Sequence, residues 1–415
     1  MNGKKELELY IHIPFCVKKC LYCDFLSFPA ASRVQAEYMD QLRCEILFSG
    51  PWYEDYRVKT IFIGGGTPSS LEPEQITMLM QTVRRVFHVE EGAEITLEAN
   101  PGTRLGGKLA AYRQAGINRL SLGLQSANND ELKHLGRIHT FEDFLLSFQA
   151  ARMAGFSNIN VDLMSAIPGQ SAESWRNTVR KVIMLKPEHI SAYSLIVEEG
   201  TPFGDHYLPE GSQKADGKKK RERQKEEGIQ IKDLSDPLSA WPPLADEEEE
   251  RQMYRLTKTF LEEAGYRRYE ISNYSRPGKE CRHNIGYWTG AEYLGLGLGA
   301  SSYVDGRRFS NEPDLNAYQS LDFSLDGLER LHGEIHVQSR KEQMEEFMFL
   351  GLRMMEGVSA AVFAEKFGIP MEQVYGSVME QMVQNGLLVI KDGRAALTEW
   401  GIDVSNYVMS SFLLD

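Results

Sequence analysis

Short apolar runs alternate with longer amphipathic stretches along the first half of the chain. The apolar runs are rich in β-branched and aromatic residues, as in strands, and the stretches between them carry apolar residues every three or four positions, as in helices. This alternation predicts six β–α units between residue 7 and about residue 197. The predicted strands occupy residues 7–13, 58–66, 94–100, 118–126, 159–167 and 189–198, and the predicted helices include 32–48, 73–87, 140–155 and 171–185.

Strands that alternate with helices form parallel sheets with right-handed crossovers. The predicted strands are apolar on both faces, as strands covered on both sides must be. We therefore predict an α/β fold built on a partial (β/α)₆ barrel, with a doubly wound open sheet as the alternative. Polar and glycine-rich positions fall where the predicted strands end, so in a barrel they share one rim, where active sites lie.

The remainder of the chain divides into three further segments, so that residues 1–203 form the predicted barrel. Residues 204–250 carry a basic run and then an acidic one, which favours a flexible charged linker over a basic docking site. Residues 251–335 are predicted to extend the barrel. Residues 336–415 combine helical segments with a hairpin at Asp392–Gly393, which predicts a small winged-helix-like domain that covers the barrel or contacts a partner.

Charge and cysteine content exclude several classes of protein. The net charge of −13 argues against a nucleic-acid partner. No apolar run is long enough to span a membrane, and the N-terminus lacks the features of a signal peptide. Five cysteines do not suit a disulfide scaffold, so we expect a cytoplasmic protein. Cys44, inside a predicted amphipathic helix that Ser32 would cap, is expected to be buried.

Three of the cysteines lie in one short loop after the first predicted strand. Cys16, Cys20 and Cys23 are close enough in sequence to hold an iron–sulfur cluster with one iron left open. Zinc is the alternative, but it requires a fourth ligand, and His12 would have to reach it from inside the strand.

The spacing Cys16-x₃-Cys20-x₂-Cys23, with Tyr22 before the last cysteine, resembles the signature of the radical SAM superfamily. YIHIPFC, GGGTP, LEANPGT, LGLQS, LGRIHT and DLMSAIPGQ are similar to motifs of the anaerobic coproporphyrinogen oxidase family. The resemblance covers nearly the whole chain. It implies a [4Fe–4S] cluster on the three cysteines and S-adenosylmethionine on the open iron.

Each of these motifs also has a physical interpretation. The glycines of GGGTP allow close backbone approach to the methionine ammonium, and Glu98 offers it an anion. Arg137 suits the carboxylate by charge-assisted hydrogen bonding, while Gln125 and Asp162 suit ribose hydroxyls. The alternative for any one of them is a salt bridge or a strand-end cap. The expected S-adenosylmethionine site comprises Tyr10, Tyr22, Gly65, Gly66, Thr67, Glu98, Gln125, Arg137 and Asp162.

Two features separate the chain from the oxidase itself. Phe25 stands where the oxidase has a further cysteine, and only nine residues precede Tyr10. CRHNIGYW, residues 281–288, is similar to the HNxxYW motif of the heme chaperone subfamily. This resemblance implies a heme site formed by His283, Asn284, Tyr287 and Trp288, with His283 or Cys281 on the iron and the aromatic rings against the porphyrin. A packed aromatic turn is the alternative.

The resemblance implies a heme chaperone that delivers heme to apo-hemoproteins, including those at the membrane, and that forms homodimers. Two other functions stay open. One is oxygen-independent coproporphyrinogen III oxidase, an enzyme of porphyrin biosynthesis, and the other is a redox-sensing cluster protein without a substrate. The sequence does not decide whether the protein is an enzyme.

Overall fold

The computed structural model describes residues 4–209, 241–324 and 327–414. Most of the predicted charged linker, residues 210–240, therefore lies outside the described residues. The first helix beyond it begins at Glu247, inside the predicted linker, and another helix, Pro202–Tyr207, spans its predicted start.

Six parallel strands form the centre of the molecule and pair in chain order. They are β1 (Lys5–Ile13), β2 (Tyr56–Gly65), β3 (Val89–Ala99), β4 (Arg119–Gln125), β5 (Ile159–Ser165) and β6 (His189–Ser194). A doubly wound sheet would reverse the strand order at a switch point, and no reversal occurs between these strands. The predicted partial (β/α)₆ barrel is thus confirmed and the open doubly wound sheet is wrong.

Helices connect these strands, and their apolar faces cover the outside of the sheet. They are α1 (Ser32–Ser49), α2 (Pro73–Val86), α3 (Leu109–Gln114), α4 (Asn129–His134), α5 (Phe141–Met153), α6 (Ala172–Leu185) and α7 (Pro202–Tyr207). One hydrophobic core, which includes Ile11, Leu97 and Trp175, joins α1, α2, α3, α5 and α6 to the sheet. Phe203 of α7 packs in a separate, smaller cluster with Met164.

Additional strands extend both sides of the parallel sheet. β7 (Arg267–Glu270) and β8 (Asn273–Ser275) pair beyond β6, after helix α8 (Glu247–Glu263). β9 (Tyr293–Leu296) pairs parallel to β1 and is followed by β10 (Ser301–Val304), β11 (Arg307–Ser310) and β12 (His336–Val337). Helices α9 (Arg282–Thr289), α10 (Leu315–Gln319) and α11 (Gly327–Leu331) lie between these strands. Twelve strands form one sheet, and the described residues show no pairing between its end strands, β7 and β12.

The C-terminal segment has a hydrophobic core of its own. It contains α12 (Arg340–Gly351), β13 (Val358–Ser359), α13 (Ala360–Phe367), α14 (Met371–Gln384), β14 (Leu388–Lys391), β15 (Arg394–Leu397), α15 (Glu399–Asp403) and α16 (Ser405–Ser410). Asp392 and Gly393, both at positive φ, form the predicted hairpin turn between β14 and β15. Helices and a three-stranded sheet confirm the expected small helical domain at this end of the chain.

The structure corrects two details of the first helix. α1 begins at Ser32, so Ala31 occupies the cap position and Ser32 does not cap the helix. Cys44 is exposed rather than buried. The buried position is the neighbouring Glu45, which accepts hydrogen bonds from the Gly297 amide, the Asn311 side chain and the Tyr318 hydroxyl. A polar network therefore determines which face of α1 points inward.

Within the described parts of the chain, no helix is both long and apolar enough to cross a membrane.

Candidate functional site

The three cysteines of the loop after β1 line one cavity of about 540 Å³ at the carboxyl end of the parallel strands. Backbone hydrogen bonds shape this loop, from the Cys16 amide to the Phe28 carbonyl (3.0 Å) and from the Cys23 amide to the Cys20 carbonyl (3.3 Å). The described residues contain no group of three Cys, His, Asp or Glu side chains arranged around a single metal ion. In a [4Fe–4S] cluster each thiolate binds a different iron, and three thiols at one cavity are the donor set that such a cluster requires.

Two of the thiols are held neutral by their surroundings. Burial raises the pKa of Cys16, and it raises the pKa of Cys23 to about 11. Two polar groups face the sulfurs, since the Thr67 hydroxyl lies 3.5 Å from the Cys16 Sγ and the Arg137 Nη1 lies 3.6 Å from the Cys20 Sγ. The cavity therefore provides donors that stabilise thiolates once iron replaces the protons.

The glycine segment after β2 joins the cysteine loop to the barrel. The Gly66 amide donates to the Ile13 carbonyl (2.8 Å), and the Thr67 amide donates to the Phe15 carbonyl (2.7 Å). A Cβ on Gly66 would lie 2.7 Å from the Phe15 oxygen, and Gly65 has a φ of +110°. Only glycine tolerates the close contact at position 66 and the positive φ at position 65. Gly65, Gly66 and Thr67 all line the cavity.

Two partly buried carboxyl groups face the same cavity from neighbouring parts of the sheet. Glu98 on β3 accepts a hydrogen bond from the Gly65 amide (3.0 Å), and burial together with the charge of Asp162 raises its pKa to about 7. Asp162 on β5 accepts from the Ser121 hydroxyl (3.0 Å) and the Asn160 amide (2.7 Å), and burial raises its pKa. Both groups are acceptors for a cationic or hydroxylated ligand.

Three other predicted residues complete the wall. Gln125 ends β4 at a φ of +72°, a backbone conformation that non-glycine residues seldom adopt, and its Oε1 accepts from the Tyr193 hydroxyl (3.1 Å). Arg137 donates to the Gly123 carbonyl (2.6 Å), which directs its guanidinium toward Cys20. Tyr22 also lines the cavity, and burial raises its pKa well above the usual value.

Tyr10 is the member of the predicted set that does not line this cavity. Its hydroxyl lies 2.9 Å from the Nδ1 of His12, and the Nε2 of His12 lies 2.8 Å from the Leu26 carbonyl. The His12 ring in turn lies against Gly65. Tyr10 thus supports the cysteine loop and the glycine segment from below.

The HNxxYW residues lie on α9 and point in three directions. His283 is 1% exposed, with its Nδ1 2.7 Å from the Thr60 hydroxyl and its Nε2 3.0 Å from the Tyr287 hydroxyl. Asn284 lines the cysteine cavity. Trp288 lines a separate cavity between α9 and the C-terminal segment. The structure therefore does not bring the four residues of the predicted heme site to one point.

Glutamates on two strands hold α9 in place. The carboxylate of Glu94 on β3 accepts from the amides of Arg282 and His283 at the helix start (3.2 Å each) and from the Cys281 thiol (3.6 Å). Glu8 on β1 lies against Gly286, where a Cβ would clash with its carboxyl group. Cys281 is fully buried, and burial raises its pKa to about 12.

Several cavity residues were not predicted, although alternation along the strands could have identified some of them. Side chains two residues apart share a face, so Gln125 indicates that Ser121 also faces the interior. Ser191 lies beside Asp162 in the register of β5 and β6, and Tyr193 lies two residues further along the same face of β6. All three line the cavity. Asn273 carries no such signal, because it comes from a segment far away in the sequence. Asn284 was predicted for the heme site and lines this cavity instead.

Comparison with known families gives matches at both ends of the chain. The Radical SAM superfamily model matches residues 10–182, and the HemN C-terminal domain model matches residues 338–404. Heme chaperone HemW of Bacillus subtilis is 36% identical over 411 residues, which cover 97% of this chain and 98% of that protein. The radical S-adenosyl methionine domain-containing protein 1, mitochondrial, of Mus musculus is 30% identical and covers 99% of this chain and 88% of its own.

Among solved structures, coproporphyrinogen III oxidase (HemN) from Escherichia coli superposes with a TM-score of 0.80 at 21% identity. The match covers 99% of this chain and 91% of that one, and it shows that the two share a fold.

Proposed function

We propose a heme-handling function for this chain, which belongs to the radical SAM superfamily and, within it, to the HemW family. The protein would bind heme and deliver it to apo-hemoproteins in the cytoplasm or at the membrane. The observation that carries this proposal is the similarity, over 97% of the chain, to a protein named heme chaperone HemW. Phe25 supports it, because this exposed side chain lines the cavity where the oxidase family has a further cysteine.

The radical SAM superfamily implies a [4Fe–4S] cluster and S-adenosylmethionine, and the residues of the cysteine cavity fit both. Three thiols line the cavity, the partly buried Arg137 guanidinium faces one of them, and carboxyl and amide acceptors line the same cavity. When bound, the cluster supplies one-electron chemistry at an iron with an open position. Cys16, Cys20 and Cys23 would hold the cluster.

The residues around the cysteines would perform distinct tasks. Arg137 holds a positive charge beside Cys20, which stabilises a thiolate there. Glu98 fixes the Gly65 backbone and offers an acceptor to the ligand ammonium. Asp162 and Gln125 offer acceptors to hydroxyl groups. Because burial raises the pKa values of Cys16 and Cys23, loading the site releases protons at neutral pH.

For heme, the proposal retains the HNxxYW helix but divides its residues by role. Trp288 would contact the porphyrin directly, since it lines an open cavity. His283 and Tyr287 hydrogen-bond to each other inside the protein, so they would position the helix. Iron ligation by His283 would require one of its two hydrogen bonds to break. We also propose that the protein forms a homodimer.

Anaerobic reconstitution followed by heme titration and transfer to an apo-hemoprotein tests the function. We expect a saturable heme spectrum and appearance of the acceptor's holo spectrum. A protein that binds no heme would overturn the proposal.

The same preparation tests the other two functions. Incubation with coproporphyrinogen III, reductant and S-adenosylmethionine would yield protoporphyrinogen if the chain were the oxidase. Equilibrium dialysis with labelled S-adenosylmethionine would show no binding if the cluster were only a redox sensor. We expect no porphyrinogen product and saturable S-adenosylmethionine binding.

A further inference from the structure

A second cavity of about 400 Å³ lies between α9 and the C-terminal segment. Cavities of about 300–1,000 Å³ hold ligands of drug-like size. Its walls come from the end of α9, from β10, from α12 and from the start of the C-terminal sheet and α13. Among the described residues, no side chain lines both this cavity and the cysteine cavity, so α9 separates two distinct compartments.

The walls of the second cavity are largely apolar and include a broad aromatic surface. The side chains of Trp288, Phe347, Leu350, Met354 and Val362 line it. The guanidinium of Arg353 lies 4.2 Å from the centroid of the Trp288 ring, which fixes the indole against the cavity wall. The buried Trp288 Nε1 has no hydrogen-bond partner among the described residues. A flat apolar ligand matches this wall.

The rim of the cavity carries an unpaired positive charge. Lys366 lines the cavity, and its ammonium forms no hydrogen bond or ion pair with the described residues. Partial burial lowers its pKa. The other charged groups at the rim have partners, since Glu346 pairs with Arg308 (2.6 Å) and Arg394 pairs with Glu356 (3.6 Å). A ligand carboxylate would therefore find one available cation here.

The lining of the cavity, as far as the chain is described, contains no histidine and no cysteine. Its other possible iron ligands are Tyr303, whose pKa is raised by burial so that the phenol stays protonated, and the uncharged thioether of Met354. The nearby His283 lies on the inner side of α9, with both ring nitrogens engaged. A metal-bearing ring would be held here by its apolar faces and its carboxylates.

We propose that this second cavity is the porphyrin site, with the ring against Trp288 and a propionate on Lys366. The inference rests on the proposed heme function and names the site at which it occurs. Recognition depends on the ring and its carboxylates, so the iron contributes little. Heme and metal-free protoporphyrin should bind with affinities within about threefold of each other.

Fluorescence and absorbance titrations of the full chain with both compounds test the site. Lys366→Gln should weaken both by about tenfold, the size expected for a charge-assisted hydrogen bond. Trp288→Leu should weaken both by about three- to tenfold. Lys391→Gln, at an exposed lysine of the same C-terminal segment, is the matched control and should change neither affinity.

The dimethyl ester of protoporphyrin isolates the carboxylate contact. It should bind the wild-type protein and Lys366→Gln equally, because it has no charge to pair with the lysine. Loss of ester binding in Lys366→Gln would mean that the substitution disturbs the fold, and it would count against the assigned contact.

Three outcomes separate this site from the function itself. Weaker binding in both variants, with metal-free porphyrin still recognised, supports the site. Heme binding that survives both substitutions, or that disappears when iron is absent, overturns the site but leaves the heme function standing. Failure of the wild-type chain to bind either compound overturns both.

Discussion

The two cavities on either side of α9 are built on different physical principles. The cysteine cavity is lined by titratable groups, and its two strand carboxylates are fixed by hydrogen bonds from neighbouring strands, as Glu98 is by Gly65 and Asp162 is by Ser121. The second cavity is largely apolar, and Lys366 at its rim has no ion-pair partner among the described residues. The first arrangement suits ligands whose charges must be placed accurately. The second suits a flat ligand held mainly by contact area, which can be released again.

The largest expected difference between the two cavities comes from the removal of one cysteine, which should affect cluster binding and leave porphyrin binding intact. Cys20→Ser should abolish the cluster absorbance after anaerobic reconstitution, because an iron loses its thiolate. Porphyrin affinity should stay within twofold of wild type. Cys44→Ser, at an exposed cysteine away from the cavity, should retain the full cluster signal. Equal loss of cluster and porphyrin binding in Cys20→Ser would show that the cavities are not independent.

A glycine-to-alanine substitution should have opposite effects on stability beside the cysteine cavity and in the C-terminal segment. Gly66→Ala places a Cβ 2.7 Å from a backbone oxygen and should lower the free energy of unfolding by about 3 kcal/mol. Gly376→Ala, on α14, has open space around it and should raise that free energy by about 0.5–1 kcal/mol. Urea unfolding measures both. Similar effects from the two substitutions would contradict the close approach at Gly66.

Glu8 packs against α9, the helix that separates the two cavities, and it should make the free energy of unfolding depend on pH. Burial raises its pKa from 4.5 to about 8, so the folded state keeps a proton that the unfolded state has lost above pH 4.5. The stabilisation that this bound proton gives to the folded state is full below pH 4.5 and is lost as the pH rises towards 8. Glu8→Gln should therefore be about 2 kcal/mol more stable than wild type at pH 8 and equal to it at pH 4.5.

The exposed Glu380→Gln on α14 serves as the control for this series. Its stability should follow the wild-type pH profile in chemical denaturation. A Glu8→Gln variant that stays parallel to wild type from pH 4.5 to 8 would show that Glu8 titrates normally.

The smallest expected effect is the pH dependence of S-adenosylmethionine binding. Glu98 must be ionised to accept from the ligand ammonium, and its pKa is about 7. Affinity should rise about tenfold between pH 6 and pH 8, as measured by equilibrium dialysis. Glu98→Gln should bind more weakly and without this slope, whereas porphyrin binding in the second cavity should keep its own profile. A slope that survives in Glu98→Gln would assign it to another group.

Contiguous motifs made much of the cysteine cavity predictable. The cysteine loop and the glycine segment follow parallel strands, while Glu98, Gln125 and Asp162 lie within strands of the same sheet and Arg137 follows α4. Strands in chain order bring their carboxyl ends together, so these motifs meet at one cavity. Tyr10 was assigned to the ligand by resemblance, whereas strand alternation places it one layer deeper, under His12.

The rest depended on contacts between distant segments. The inward face of α1 is set by a carboxylate that meets Gly297 and Tyr318, so periodicity alone misassigned Cys44. The orientation of α9 depends on Glu8 and Glu94, far away in the sequence, so its motif could not reveal that Asn284 and Trp288 face different compartments. Strands β7 to β12 are too short to show a clear period.

Strand β3 sets the spacing between the glycine segment at the cysteine cavity and the start of α9. Its Glu98 fixes the glycine segment at one level, and its Glu94, four residues earlier, fixes the start of α9 at another. A single residue inserted or deleted between them would turn one of the two carboxylates to the opposite face of the strand, because side chains alternate. An insertion or deletion between Glu94 and Glu98 would therefore prevent β3 from positioning both the glycine segment and the start of α9. The interval between Glu94 and Glu98 should be the segment of the barrel least tolerant of insertion.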